Sequence, residues 1–234
     1  MTYLLMAQFG FIFLTLSCLI IIYYQLKKSL QILDTKTQHQ ILRRYIWGLS
    51  IWIALLSCLS ILGILSDFTA VPPKLPFFLV IPIIVLILIF RSPHLDTVLQ
   101  NTPSTWFFNI QFFRFFVEIL LWFLFLAEVL PERMTFEGAN FDIIAGITGP
   151  IFACLCFANG KKNKTLAIIW NIVSLLLLVN IVSIALLTMP TPFQVFTNED
   201  NTIVGTFPVV FLPSVLVPIA YYMHCLSLRQ LLKQ

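Results

Sequence analysis

The chain has 234 residues, 59% hydrophobic and only 10% charged, with 14 Lys and Arg against 10 Asp and Glu. A soluble domain carries about 25% charged residues, so a chain this poor in charge cannot clothe a water-facing surface. That excludes a soluble globular class and leaves an all-α polytopic membrane protein as the expectation, with the lipid bilayer as its partner and no nucleic acid.

A spanning helix needs about 20 apolar residues. Seven segments fit: 3–25, 45–66, 76–91, 106–130, 141–159, 165–188 and 208–228. No internal repeat and no linker interrupts them, so residues 1–234 are expected to form a single seven-helix domain. The first segment has no basic leader and no small-x-small cleavage site, which predicts a retained span rather than a signal peptide. Beyond it, Leu26, Leu30 and Leu33 share a face. The first helix should therefore run on past the membrane, with a break near Asp34–Thr37. The second span presents a mostly small face, Ser50, Ala54, Ser57 and Ile61, suited to close packing. Pro72, Pro73 and Pro76 precede the third span and Pro82 lies inside it.

The fourth span carries charge within a run of aromatic residues. Gln111, Arg114 and Glu118 follow i, i+3, i+7 and so line one face, which Trp122 and Phe125 extend. At about 1.5 Å per residue, Glu118 lies some 18 Å from Trp106, near the membrane midplane. An ionised side chain in hydrocarbon costs about 2.5–3.5 kcal/mol on insertion scales. An Arg114–Glu118 ion pair facing the bundle interior would lower that cost. Intramembrane charge marks a functional site by default; the alternative is an ion pair that fixes helix packing.

Glu132, Glu137 and Asp142 then cluster in an external loop that also holds Arg133. They are either a cation site or a solvated acidic loop. Gly138 is expected in a turn, and Asn140 as the N-cap of the fifth helix with Asp142 in its first turn. In that helix Ala145, Gly149 and Ala153 repeat every fourth residue, which permits close helix approach, and Pro150 frees a carbonyl one turn earlier. Cys154 and Cys156 should point to different faces. On the sixth helix Asn171 with Ser174 and Asn180 with Ser183 make two polar patches that suggest interhelical hydrogen bonds. The segments 193–196 and 202–207 flank a turn-like Asn-Glu-Asp-Asn and predict a short hairpin. In the seventh span Pro213 and Pro218 should disturb the bonds to Val209 and Ser214.

Loop charge sets the orientation. One set of loops, including the C-terminal tail, holds eleven basic residues: Lys27, Lys28, Lys36, Arg43, Arg44, Arg91, Lys161, Lys162, Lys164, Arg229 and Lys233. Only Asp34 and Asp96 oppose them. The other set is acidic. The positive-inside rule then places the N-terminus outside and the C-terminus in the cytoplasm, in a plasma or bacterial inner membrane.

The sequence has no phosphate loop, zincin or nucleophile-elbow motif. The span at 208–228 has no lysine for a retinal Schiff base. His39, His94 and His224 fall in three separate segments, all assigned to the cytoplasmic side, without ligand spacing. No cofactor, metal or catalytic set is expected. The reading that follows is a small-molecule or ion transporter or ligand-binding bundle, possible as a homo-oligomer, with a polar site of Gln111, Arg114, Glu118, Trp122, Asn171 and Asn180. A non-catalytic receptor, sensor or assembly subunit is the alternative, and a lipid-modifying enzyme a distant third.

Overall fold

The computed structural model describes residues 1–68, 74–160 and 162–233. Pro72, Pro73 and Lys161 lie outside them. The described residues are mostly helical, with no strand among them. The helices are α1 (Thr2–Ser29), α2 (Thr35–Ile61), α3 (Lys74–Phe90), α4 (Leu95–Gln100), α5 (Ser104–Asn109), α6 (Phe113–Leu126), α7 (Asp142–Phe157), α8 (Lys164–Thr188) and α9 (Val217–Lys233). A single 3₁₀ turn at Ile110–Phe112 joins α5 to α6.

Five stretches are long and apolar enough to cross a membrane: Thr2–Ile32, Thr35–Ile61, Ser104–Leu126, Lys164–Thr188 and Leu212–Lys233. The apolar helices α3 and α7 are shorter, 17 and 16 residues. α5 and α6 form the centre. α1 packs along one side of α6 and α7 along the other, and α8 and α9 complete a ring back to α5. α3 leans on α9, while α2 lies at the periphery against α1.

Local chemistry explains where the helices stop. α1 runs past Ser29 into a 3₁₀ turn and breaks at Leu33, at the near edge of the expected region. The Asp34 carboxylate then caps α2 by accepting the Thr37 amide at 2.9 Å. That bond holds the Asp34 carboxyl below its ordinary range. α2 ends early, because Gly63 takes φ of +72°. Gly63 and Ile64 amides return to the Ser60 and Leu59 carbonyls at 3.0 and 2.9 Å.

α7 approaches the centre closely, as its small residues predict. Ala145, Gly149 and Ala153 are all buried. A Cβ added at Gly149 would lie 2.6 Å from the Phe108 carbonyl, and one at Gly146 would lie 2.5 Å from the Phe115 amide. Cys156 is buried and Cys154 exposed, so they do lie on different faces.

Two expectations fail. The hairpin at 193–207 does not form. The Val195 and Phe196 amides bond the Leu187 carbonyl at 2.9 and 3.2 Å, and the Asn201 amide bonds the Thr188 carbonyl at 3.0 Å. The orphan carbonyls at the end of α8 thus capture the segment that would have paired with itself. The small face of α2 is also no packing face, since Ser50, Ala54 and Ile61 are exposed. α2 instead turns Trp52, Leu56 and Ser60 inward. It is stitched to its neighbours by three bonds to carbonyls: Tyr45 to Leu19 at 2.8 Å, Trp52 to Ser214 at 3.0 Å and Ser60 to Gly205 at 2.7 Å.

Candidate functional site

The interior of the bundle holds a network of polar side chains. Arg114 on α6 is 1% exposed and Glu118 is also 1% exposed. They are not each other's partners. Arg114 Nε donates to Asp142 Oδ2 at 2.7 Å, and Nη2 reaches the other oxygen of the same carboxylate. Nη2 also donates to the Ser174 carbonyl of α8 at 3.1 Å. The expected Arg114–Glu118 pair is therefore corrected to Arg114–Asp142. The two α6 groups lie on one helix, but α7 starts so deep that Asp142 presents its carboxylate broadside, allowing a fork-to-fork match. Asp142 is 4% exposed, so it leaves the external acidic cluster where its sequence position had placed it.

The remaining face of Arg114 meets α9. Its Nη1 lies 3.0 Å from His224 Nε2, and His224 Nδ1 lies 3.0 Å from Asn171 Oδ1. A guanidinium only donates, so Nε2 accepts and the ring carries its proton on Nδ1, which donates to Asn171. Asn171 Nδ2 continues to Ser227 Oγ at 3.1 Å and to the Ala167 carbonyl at 2.8 Å. Trp170 packs beside this set, stacked on Phe108 at 4.6 Å and tilted against His224 at 5.5 Å.

Glu118 is served by Asn140. The Asn140 amide nitrogen lies 2.8 and 2.7 Å from the two Glu118 oxygens, and its Oδ1 accepts the Asp142 amide at 3.0 Å. The N-cap of α7 is Phe141 and not Asn140 as expected; Asn140 instead turns the chain just ahead of the helix through its bond to the Asp142 amide, with its nitrogen committed to Glu118. The chain Glu118–Asn140–Asp142–Arg114–His224–Asn171–Ser227 thus links α6, α7, α8 and α9 without a break. It offers no open metal position; among the described residues no three His, Cys, Asp or Glu side chains are grouped to hold an ion.

The other candidates stand apart. Gln111 donates to the Ala220 carbonyl at 3.1 Å and its Oε1 has no partner. Trp122 lies one turn beyond Glu118, with its indole nitrogen buried and unbonded. Asn180 is drawn to the Ala139 carbonyl at 2.9 Å, where it pins the loop before α7. Glu132 and Glu137 are exposed. Arg133 between them forks to Glu199 at 2.8 and 3.1 Å and lies over the Phe196 ring at 4.1 Å. Glu199 beside it pushes the Arg133 guanidinium further up. Through these contacts the loop is clasped to the segment that follows α8.

Sequence reading missed His224, which it had placed at the cytoplasmic side with the other histidines. Its signal was the stripe of His224, Ser227 and Gln230 on α9, all buried. It also missed a cavity of about 580 Å³ between α1, α2, α3 and α9, floored by α4. The wall is almost entirely apolar. Gly48 on α2 and Ile81 and Val85 on α3 both line the cavity and are exposed on the outside, so it opens between those helices. Trp52, tilted on Phe78 at 5.9 Å, closes one end. Arg44, Gln25 and His94 stand at the other. The floor is tied down by Asp96, which takes Arg229 Nε at 2.7 Å and also Lys233. Those bonds, Arg229 first, hold its carboxyl at about 2.

Residues 72–232 match the family described as Domain of unknown function (DUF8737). The chain belongs to this family. The matched residues contain the whole polar network, whereas the α1 and α2 walls of the cavity lie outside them. No curated protein and no solved structure matches the chain.

Proposed function

We propose that this is an integral membrane protein of seven spans, N-terminus outside and C-terminus cytoplasmic, that binds a lipophilic small molecule in the cavity between α2 and α3. Five long apolar helices and two shorter ones support the span count. The basic residues of one set of loops support the orientation.

The observation that carries the reading is the cavity itself. Its volume of about 580 Å³ falls within the range of small-molecule pockets, about 300–1,000 Å³. Its wall is apolar, and its mouth faces the helix surface that lipid would cover. The polar network plays a different part. Arg114, Asp142, His224 and Asn171 bond one another, which supports a fixed core that positions α9 as the cavity's back wall.

Native mass spectrometry of detergent-purified protein tests this. A Cβ added at Gly48 meets nothing within 4 Å, so Gly48→Phe should fill the cavity without unfolding the chain. A bound lipophile is expected on the wild type and is lost from Gly48→Phe and from Val85→Trp. Undiminished binding by both folded variants would overturn the assignment.

A further inference from the structure

We infer that the occupant of this cavity is an anionic lipid of the cytoplasmic leaflet, held with its head group at Arg44 and a tail along α9 toward Trp52. The inference rests on the cavity being a binding site, as proposed above. Three features point to this occupant.

The first is length. The wall formed by α9 and the turn before it runs from Ser214 to Leu226, twelve steps along the chain, and at about 1.5 Å per step this is some 18 Å. A hydrocarbon core is about 30 Å thick, so one leaflet is about 15 Å. The cavity is therefore one leaflet deep. It begins at the basic end and stops at the Trp52–Ser214 bond, near the middle of α2.

The second is polarity along that length. The inner part is lined by side chains such as Ile81, Val85, Val215 and Ile219. Polar groups gather at the basic end, where Arg44 and His94 line the cavity beside Gln25. A molecule with one charged head and an apolar tail matches this gradient. A uniformly apolar one leaves the polar end unused.

The third is unanswered positive charge. Arg44 has no side-chain partner among the described residues. The carboxylates that could neutralise it are already engaged. Asp34 caps α2 through Thr37, and Asp96 is held by Arg229 and Lys233. Arg43, Lys27 and Lys28 add to the same field. A phosphate head group supplies the missing anion, and the guanidinium fork is suited to it. The opening between α2 and α3 lets such a lipid enter sideways from its own leaflet.

The test compares retention of dioleoyl phosphatidylglycerol and dioleoyl phosphatidylcholine, which share tails but differ in net charge. Delipidated protein is titrated with each and read by native mass spectrometry. Wild type is expected to prefer the anionic lipid by about five-fold or more, in line with one cation near a membrane surface. Arg44→Gln should bring the two lipids to parity, whereas Lys36→Gln, the same charge change away from the cavity, should not. Gly48→Phe should abolish retention of both. Equal loss of preference in Arg44→Gln and Lys36→Gln would overturn the head-group assignment in favour of diffuse surface charge. Equal retention of both lipids by the wild type, still abolished by Gly48→Phe, would overturn the anionic occupant and leave the cavity reading intact. Retention insensitive to Gly48→Phe would overturn both.

Discussion

The Trp52 indole donates to the Ser214 carbonyl at 3.0 Å, and Ser214 is the residue whose carbonyl Pro218 leaves without a helical amide. A side chain from the peripheral helix thus completes a backbone gap at the entry to α9. The chain around it is wound as a π-helical turn, Leu212–Leu216, a form that tends to occur where a helix has been adapted to a site. Trp52→Phe keeps the aromatic packing on Phe78 but strands a buried carbonyl. It should lower stability by about 1–3 kcal/mol and raise amide exchange along α2 more than along α8, measured by hydrogen exchange in nanodiscs. Unchanged exchange along α2 would show that this bond does not anchor the helix.

Arg114 and Asp142 should behave as one unit. Removing one member of a buried pair costs about 3–5 kcal/mol, because the survivor is left unpaired. Arg114→Leu and Asp142→Leu are each expected to be destabilised on this scale, and the double variant less than their sum. The corresponding cycle between Arg114 and Glu118 should show much weaker coupling, since Glu118 bonds Asn140. Thermal unfolding in detergent reads both cycles, and coupling that favours Glu118 would contradict the geometry.

Gly149 and Gly48 should respond to alanine in opposite directions. At Gly149 the new Cβ would sit 2.6 Å from the Phe108 carbonyl, so α7 must back away from α5. A loss of about 1–3 kcal/mol is expected for such overpacking. At Gly48 nothing lies within 4 Å, and the helix gains up to about 1 kcal/mol from replacing glycine. Melting temperatures of the two variants decide it.

Asp96 gives the end of the bundle where α4 meets α9 a dependence on acid. Its folded carboxyl titrates at about 2, below the ordinary aspartate value of about 3.9. Its contribution is thus complete above pH about 4 and is lost as pH falls toward about 2. Acidification through that window should release α4 from the end of α9. Asp96→Asn should show the same release at pH 7. Spin labels at Thr97 and Leu232 would report it as a broadened distance distribution; a distribution unchanged in Asp96→Asn would rule out Asp96 as the tie.

What could be read from the chain alone follows from range. The apolar runs, the break near Asp34 and the freed carbonyl at Ser214 depend on neighbours within a turn or two, and each appears in the structure. The small face of α7 also worked, because Gly149 and Ala153 have almost no alternative use. The partner of Arg114 could not be found in this way. Glu118 is nearer in sequence, and nothing local shows that α7 begins deep enough to bring Asp142 broadside. His224 failed for a related reason: its distance from the end of the last helix placed it at the surface, whereas α9 carries it inward. The 193–207 segment has the residue pattern of a hairpin, but the open carbonyls of α8 compete for its amides. The cavity is a property of how α2 stands off from α3, and no short window encodes that spacing.

The Arg114–Asp142 pair also constrains how the protein is made. Arg114 emerges from the ribosome 28 residues ahead of Asp142 and 110 ahead of His224. At about 5–20 residues per second, the guanidinium waits a few seconds for its carboxylate and longer for the imidazole. A helix bearing an unmatched arginine partitions poorly into hydrocarbon. α5 and α6 should therefore linger at the translocon until α7 arrives, and the two halves of that hairpin enter the bilayer together.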